Sequence, residues 1–388
     1  MEIQNATLAS LSVDGRGSYG IGASAVERSE NLYTYLRITD IRDDGTLNMA
    51  DLKSVDDEKA SQYLLKPNDI VFARTGASTG RNYFYDGTDG EFVYAGFLIK
   101  FSIDPQKVNP QYVKYYCMSD SYKGWIRSFN TGSTRGNINA QTLGEMPIPL
   151  PPRQQQDGIV ELLSSLDKKI QKNTEINDNL LQQASAVFNK LYDESPNQQP
   201  FTSLIDVLGG GTPKTGNPDF WDGHIPFFTP KDVGTPYTFQ TEKYITESGL
   251  THCNSRLYQK DTTFVTARGT VGKVSLAGIP MAMNQSCYAL TSETVDPLLV
   301  YFYVLKAVAS LKHKASGAVF DAIVTRDFDS ETINILSDDD SKMVLPIIKP
   351  MMDTIHNNSQ ENMRLAALRD SLLPKLMSGE LDVSNLDL

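Results

Sequence analysis

The chain has 388 residues, 40% of them hydrophobic and 21% charged, with a formal net charge of -11. That length exceeds one ordinary core and points to two or more domains. No apolar run approaches the ~18 residues of a membrane span, and the start MEIQNATLAS lacks the basic, apolar pattern of a signal peptide. Cys117, Cys253 and Cys287 are odd in number and far apart, so they read as reduced cytoplasmic thiols rather than disulfides or metal ligands.

In chain order, the first part is rich in Gly, Thr, Tyr and Phe. It carries short β-like runs such as DIVFA (69–73) and FLIKF (97–101), and closes on a strand-like MPIPLPP (146–152). The prolines of PPRQQQDGIVELLSSL (151–166) then mark entry into a helix, and the apolar period changes from 2 to 3.5. The stretch YDESPNQQP (192–200) reads as a linker. A second β-like part follows, with TTFVTA (262–267) and CYALT (287–291), and closes on TINILSD (332–338) before a second helix. Pro374 and Gly379 are expected to end that helix.

The chain repeats itself. At a constant offset and without a gap, Ile138 aligns with Ile323, Leu143 with Phe328, Ile148 with Ile333, Leu150 with Ile335, Ile170 with Ile355, Leu180 with Leu365 and Leu191 with Leu376. Upstream, DIVFARTGASTG (69–80) resembles DTTFVTARGTVG (261–272) at a slightly different offset. So long a period means duplication of whole units rather than a solenoid.

The first helix has seam positions Ile159, Leu163, Leu166, Ile170, Asn173, Asn177, Leu180, Ala184, Val187 and Leu191. The second has Val344, Ile348, Met351, Ile355, Asn358, Asn362, Leu365, Arg369, Leu372 and Leu376. Steps of four and three alternate without a slip, a coiled-coil pattern. Asn173 and Asn177 match Asn358 and Asn362. Mid-seam amides need partners, and an antiparallel pairing lets asparagine meet asparagine while any slipped register sets an amide against leucine. A seam of ~33 residues spans roughly 50 Å at 1.5 Å per residue, about 15 base pairs of duplex. Two similar heads on such a spacer suit duplex DNA with two half-sites and an unread gap.

The segments GGGTPKTGNPDFWDGHIPFFTPKDV (209–233), FARTGASTG (72–80), TARGTVGKV (266–274), MNQSCYAL (283–290), IPLPPRQQQDGIVELLSSLDKKI (148–170) and LRDSLLPKLMSGEL (368–381) together resemble the specificity subunit of type I restriction-modification enzymes. The resemblance covers nearly the whole chain, YLRITDI (35–41) fits it, and the first ~60 residues are otherwise its weakest part. It implies an α+β fold: two duplicated β-rich α/β recognition domains separated by two long helices that form an antiparallel, pseudo-two-fold symmetric coiled coil. The expected boundaries are 1–150 for the first target-recognition domain, 151–195 for the central helix, 196–337 for the second recognition domain and 338–388 for the distal helix and tail. It further implies that each recognition domain binds one half of a bipartite DNA target, and that the helices set the gap and dock two modification subunits. Those partners bind S-adenosylmethionine and methylate adenine, and restriction subunits join to translocate and cut DNA. The chain itself is then expected to be non-catalytic and to bind no cofactor or metal.

The residues agree with that absence of chemistry. NPDF (217–220) is near the Asn-Pro-Pro-Phe motif that grips a flipped adenine, but Asp219 replaces the rigid proline and no Gly-rich cofactor strand precedes it. ARGTVGKVS (267–275) imitates a phosphate loop, yet lacks its first Gly and has Val274 where Ser or Thr would bind magnesium. His224, His252, His313 and His356 are scattered, none at ligand spacing.

Charge gives a warning about DNA. Residues 1–150 hold 15 Lys and Arg against 18 Asp and Glu, and residues 201–340 hold 11 against 16. Phosphate contact therefore needs cations segregated onto one face. The candidates in the first head are Arg74, Thr75, Ser78 and Arg81 in the turn after the strand, and Ser133, Thr134, Arg135 and Asn137 further on. In the second head they are Arg268, Thr270 and Lys273 in the matching turn, Lys214, Thr215 and Lys231 around an aromatic group, and Lys314, Ser316 and Arg326. Gly76, Gly80, Gly269 and Gly272 would let backbone N–H groups approach phosphate. Phe220 and Trp221 read as core. GSTRGNI (132–138) stands where the second head has GAVFDAI (317–323), so the two half-sites should differ. The rival readings are a coiled-coil scaffold with β-rich protein-binding heads, which the acidic balance favours, and a self-contained adenine methyltransferase. Adding a whole heptad to the first helix should widen the unread gap and leave both half-sites unchanged.

Overall fold

The computed structural model describes residues 4–129, 137–314 and 322–383. Contacts divide the chain into two units. One is built from residues up to Lys168 together with those from Leu365 onward, the other from Lys169–Arg364. The fold is mixed helix and sheet, and the same plan is used in both units.

In the first unit a four-stranded antiparallel sheet runs in the order Ser18–Tyr19, Leu98–Ser102, Asp69–Ala73 and Asn82–Tyr85. The strand DIVFA is buried along its whole length, which suits a continuous β-branched and aromatic run better than alternation. A second sheet has the order Ala25–Val26, Lys53–Val55, Tyr33–Leu36 and Phe92–Tyr94, its last pair parallel. Helices Pro110–Tyr116 and Asp120–Ser128 cover the first sheet. Asn109 and Ser119 cap them by accepting the N–H of Gln111 and Tyr122. Their core includes Phe72, Phe101, Tyr112 and Tyr115 and takes in Ile159, Leu163, Leu373 and Leu376 from the two long helices.

The second unit repeats this with one strand more in its main sheet and one fewer in the smaller. Its main sheet runs Asp206–Gly209, Cys287–Thr291, Thr263–Thr266, Val274–Ala277 and Tyr237–Thr238. Its smaller sheet runs Tyr244–Ile245, Trp221–Phe228 and Ala282–Met283, again with a parallel last pair. One helix, Pro297–Lys314, replaces the two short ones, and seven consecutive residues from Leu298 to Val304 are buried in it. A helix apolar all round shows no 3.6-residue periodicity, which is why the sequence gives no clear sign of it.

Two sequence readings are corrected. The stretch 192–200 is not a bare linker. Gln198–Pro200 forms a strand that pairs with Thr332–Asn334, as Gln4–Thr7 pairs with Pro147–Leu150 in the first unit. Pro200 sits at the strand end, where its missing N–H costs no ladder bond. Nor does Pro374 end the second long helix, which runs Asp338–Ser378 with Pro346, Pro350 and Pro374 inside it. Gly379 ends it in the left-handed region, φ 77°.

The first long helix is Arg153–Glu194, entered directly after Pro151 and Pro152. Within the second unit it pairs antiparallel with the other long helix. Asn173 Nδ2 donates to Asn362 Oδ1 at 2.9 Å and to Glu361 Oε2 at 2.7 Å. Asn358 Nδ2 donates to Asn177 Oδ1 at 2.9 Å, and Asn177 Nδ2 donates to Ser359 Oγ at 3.3 Å. Within the first unit, Arg369, a charge on the expected seam, is met by Asp167 at 3.0 Å, which also accepts from Tyr115 Oη. At three positions the buried residue lies one place beyond the even heptad, although Val344, Ile348 and Leu376 keep to it. Phe188, Met352 and Leu373 are buried where even heptads point to Val187, Met351 and Leu372. Phe188 there meets Phe302 and Tyr303 of the domain core.

Candidate nucleic-acid interface

The same turn is built twice. In the first unit the strand Asp69–Ala73 leads into a turn closed by Gly80 N–H to Ala73 O at 2.9 Å and Ala73 N–H to Arg81 O at 2.8 Å. In the second unit Gly272 N–H donates to Thr266 O at 2.8 Å and Thr266 N–H to Lys273 O at 3.0 Å. Gly76 and Gly80 have φ of 72° and 89°, Gly269 and Gly272 of 81° and 72°, values that tax any side chain. A Cβ on Gly80 would also lie 2.5 Å from Ile126, and one on Gly272 2.5 Å from Lys312. The neighbouring helix grips each turn at the glycine carbonyl, through Tyr122 Oη at 2.6 Å in one unit and Lys312 Nζ at 2.6 Å in the other. The scaffold of both turns is therefore rigid.

What the turns carry differs. In the first unit Arg74 lies 5.3 Å from the Tyr19 ring centroid and 5.9 Å from that of Phe97, with 3.4 Å bonds from Nε to Gly96 O and from Nη1 to Asn137 Oδ1. Thr75 forms an isolated bridge to Asn137, so these two segments meet. Ser78 is half-buried in the turn. Arg81 faces another way: its Nε and Nη2 hold the two oxygens of Asp43 at 2.6 and 3.1 Å, which neutralises it as a phosphate anchor. Ser133, Thr134 and Arg135 lie outside the described residues, as does Ser316 in the second unit.

In the second unit Arg268 and Lys273 are exposed, with no side-chain partner among the described residues. Thr270 Oγ1 donates to Pro230 O at 3.2 Å, which brings the turn beside Lys231, itself 3.4 Å from Glu242. Lys214 and Thr215 are exposed on a separate turn ahead of Pro218–Phe220. Lys314 is ion-paired to Glu331, whose side chain is 2% exposed, and Arg326 is exposed on the helix Thr325–Asp329. Phe220 is buried and stacks on His252, and Trp221 is half-buried beneath Lys243.

Sequence reasoning missed Tyr19 and Phe97, aromatic rings left 44% and 57% exposed beside Arg74. It also missed Gln285, exposed on the turn equivalent to Ala95–Phe97 and bonded to Thr212. Neither could be found without knowing which strands are neighbours. Chemically, the two surfaces offer guanidinium, ammonium, amide and hydroxyl groups suited to phosphates and base edges.

The apparent catalytic motifs are accounted for structurally. Asn217 of NPDF accepts the Asp219 N–H at the start of a short turn. The ARGTVGKVS loop runs into the strand Val274–Ala277, not into the helix a phosphate loop requires. Burial pushes the Cys287 thiol up to about 12 and raises that of Cys117 as well, so both are protonated at neutral pH. Among the described residues no three His, Cys, Asp or Glu side chains are grouped to hold a metal, and no helix is long and apolar enough to cross a membrane.

Comparison with known proteins adds the family. The type I restriction modification DNA specificity domain matches residues 24–182 and again 201–366. The chain is 20% identical over 406 residues to the HindI specificity subunit of Haemophilus influenzae, covering 82% of this chain and 87% of that one. It is 28% identical to the MjaIX specificity subunit of Methanocaldococcus jannaschii over 163 residues, 40% of this chain and 38% of the relative, so that likeness spans well under half of either protein. The crystal structure of a type I S subunit from M. genitalium has the same fold, with a TM-score of 0.59 at 15% identity, covering 97% of this chain and 96% of that one.

Proposed function

Since this chain belongs to the type I restriction-modification DNA specificity family, we propose that it selects the DNA target of such a complex. Each unit binds one half of a split, asymmetric sequence. The two long helices fix the number of unread base pairs and dock two modification subunits, which carry S-adenosylmethionine and methylate adenine. Restriction subunits join the same assembly where DNA is also cut. The chain supplies recognition and no catalysis.

The observation that carries this reading is the duplicated turn. Its closure, its left-handed glycines and its anchoring helix are common to both units, while the polar side chains differ: the first unit carries Arg74 and Asn137 there, the second Arg268 and Lys273. A shared scaffold with different side chains is what two unlike half-sites demand. The net acidity of the chain is compatible, because Arg74, Arg268 and Lys273 have no acidic partner among the described residues, whereas Arg81 and Lys314 are ion-paired.

Mapping methylated adenines in DNA exposed to the assembled complex tests the proposal. The expected result is one motif of two different halves at a constant spacing. Methylation without a motif, or a complex that ignores duplex DNA altogether, would overturn it in favour of a protein-binding scaffold.

A further inference from the structure

Resting on the reading of the first unit as a DNA-recognition domain, we infer that Arg74 reads a guanine there from a bed formed by Tyr19 and Phe97, and that the second unit has no equivalent reader. Matching backbone bonds define what equivalent means. Arg74 N–H donates to Phe97 O at 3.1 Å and Ala267 N–H to Ser286 O at 2.8 Å. The carbonyls of Arg74 and Ala267 accept from Ile138 and Ile323, each at 2.9 Å. Tyr19 pairs with Ile99 on one strand edge as Gly209 pairs with Tyr288 on the other. The cluster Tyr19, Arg74, Phe97 and Asn137 is thus replaced in the second unit by Gly209, Ala267, Ser286 and Ala322.

Three properties separate Arg74 from an ordinary structural arginine. Arg37 and Arg81 each hold a carboxylate, Asp40 at 2.6 Å and Asp43 at 2.6 Å, whereas Arg74 has no acidic partner among the described residues. Only two of its five N–H donors have acceptors among the described residues, both at the long distance of 3.4 Å. Third, both rings beneath it are substantially exposed, so the planar group is oriented by cation–π contact at the surface instead of being covered. A fixed planar fork with unused donors matches guanine O6 and N7, the commonest base contact of arginine. Burying Tyr19 and Phe97 against a ligand would add apolar contact area around the same base pair.

The test uses the full chain assembled with its modification subunits on a library of randomised duplexes, read by adenine methylation. For Arg74→Ala and Arg74→Lys, preference for one G·C pair in a single half-site should fall roughly ten- to a hundredfold, with the other half-site intact. The lysine variant keeps the charge, so its salt dependence should match the parent and its melting temperature should confirm folding. An unchanged motif in both variants overturns the inference. So does weakening that is uniform over all sequences in Arg74→Ala, with the salt slope reduced by about one, which would make Arg74 a phosphate anchor. If the parent complex itself yields no split motif, the underlying reading fails first and the inference falls with it.

Discussion

Asn173 and Asn362 join the two long helices amide to amide, Nδ2 to Oδ1 at 2.9 Å, with Asn173 only 1% exposed. Its one amide donor group serves both Asn362 and Glu361. Asn173→Ala therefore leaves Asn362 Oδ1 without its donor and Glu361 with Lys169 alone, and should cost about 1–3 kcal/mol in urea unfolding of the chain. Changing all four seam asparagines to leucine should act the other way on stability. An apolar seam no longer penalises a shifted register or a second copy, so sedimentation should show self-association absent from the parent.

Phe188 is fully buried, stacked on Phe302 at 5.2 Å and edge-on to Tyr303 at 5.2 Å. Phe188→Ala should cost about 3–5 kcal/mol. Its neighbour Val187, the position that even heptads select, is only half-buried, and Val187→Ala should cost roughly 1 kcal/mol. Equal losses at the two sites, measured as urea midpoints, would show the seam following the heptad to its end.

That contrast shows how far the sequence could be read. The repeat linking Ile138 to Ile323 and Ile170 to Ile355 was legible because both copies had to bury the same faces, and the helix periods were legible because a two-helix seam is a local pattern. The shift to Phe188 was not, since it depends on the ring meeting Phe302 and Tyr303, far off in the chain. Among site residues, the glycine turns were legible as strand–turn punctuation. Arg81 misled because Asp43, 38 residues earlier, lies beside it only once the sheets are folded. Tyr19 and Phe97 were invisible for the same reason: an exposed aromatic residue looks like a core one until its neighbours are known.

Glu361 carries a pH signature. The amide of Asn173, and then Lys169, hold its carboxyl below the ordinary 4.5. A depressed carboxyl contributes stability that is fully present above the unfolded value and is lost as pH falls through the folded one. The parent should therefore weaken below about pH 4.5 by more than Glu361→Gln does, while the two have parallel stability between pH 6 and 7. Urea midpoints recorded across that range decide it; identical acid limbs would mean that this carboxylate adds nothing.

The cations of the second unit divide into two kinds, and the division can be measured. Arg268 and Lys273 are exposed without partners among the described residues, so removing either should leave stability unchanged. If they meet phosphates, Arg268→Gln and Lys273→Gln should each weaken DNA binding of the assembled complex several-fold and lower the slope of log affinity against log salt by about 0.9. Lys314 belongs to the fold: its ammonium, on a side chain 58% exposed, balances the Glu331 carboxylate, which is 2% exposed. Lys314→Met leaves that buried charge uncompensated and should cost about 1–3 kcal/mol, less than a fully buried pair because water still reaches the lysine end. Its salt slope should equal that of the parent. Anisotropy titrations between 50 and 200 mM salt, with thermal melts of the same samples, separate the two behaviours. A slope change in Lys314→Met with no loss of melting temperature would place that lysine at the DNA instead.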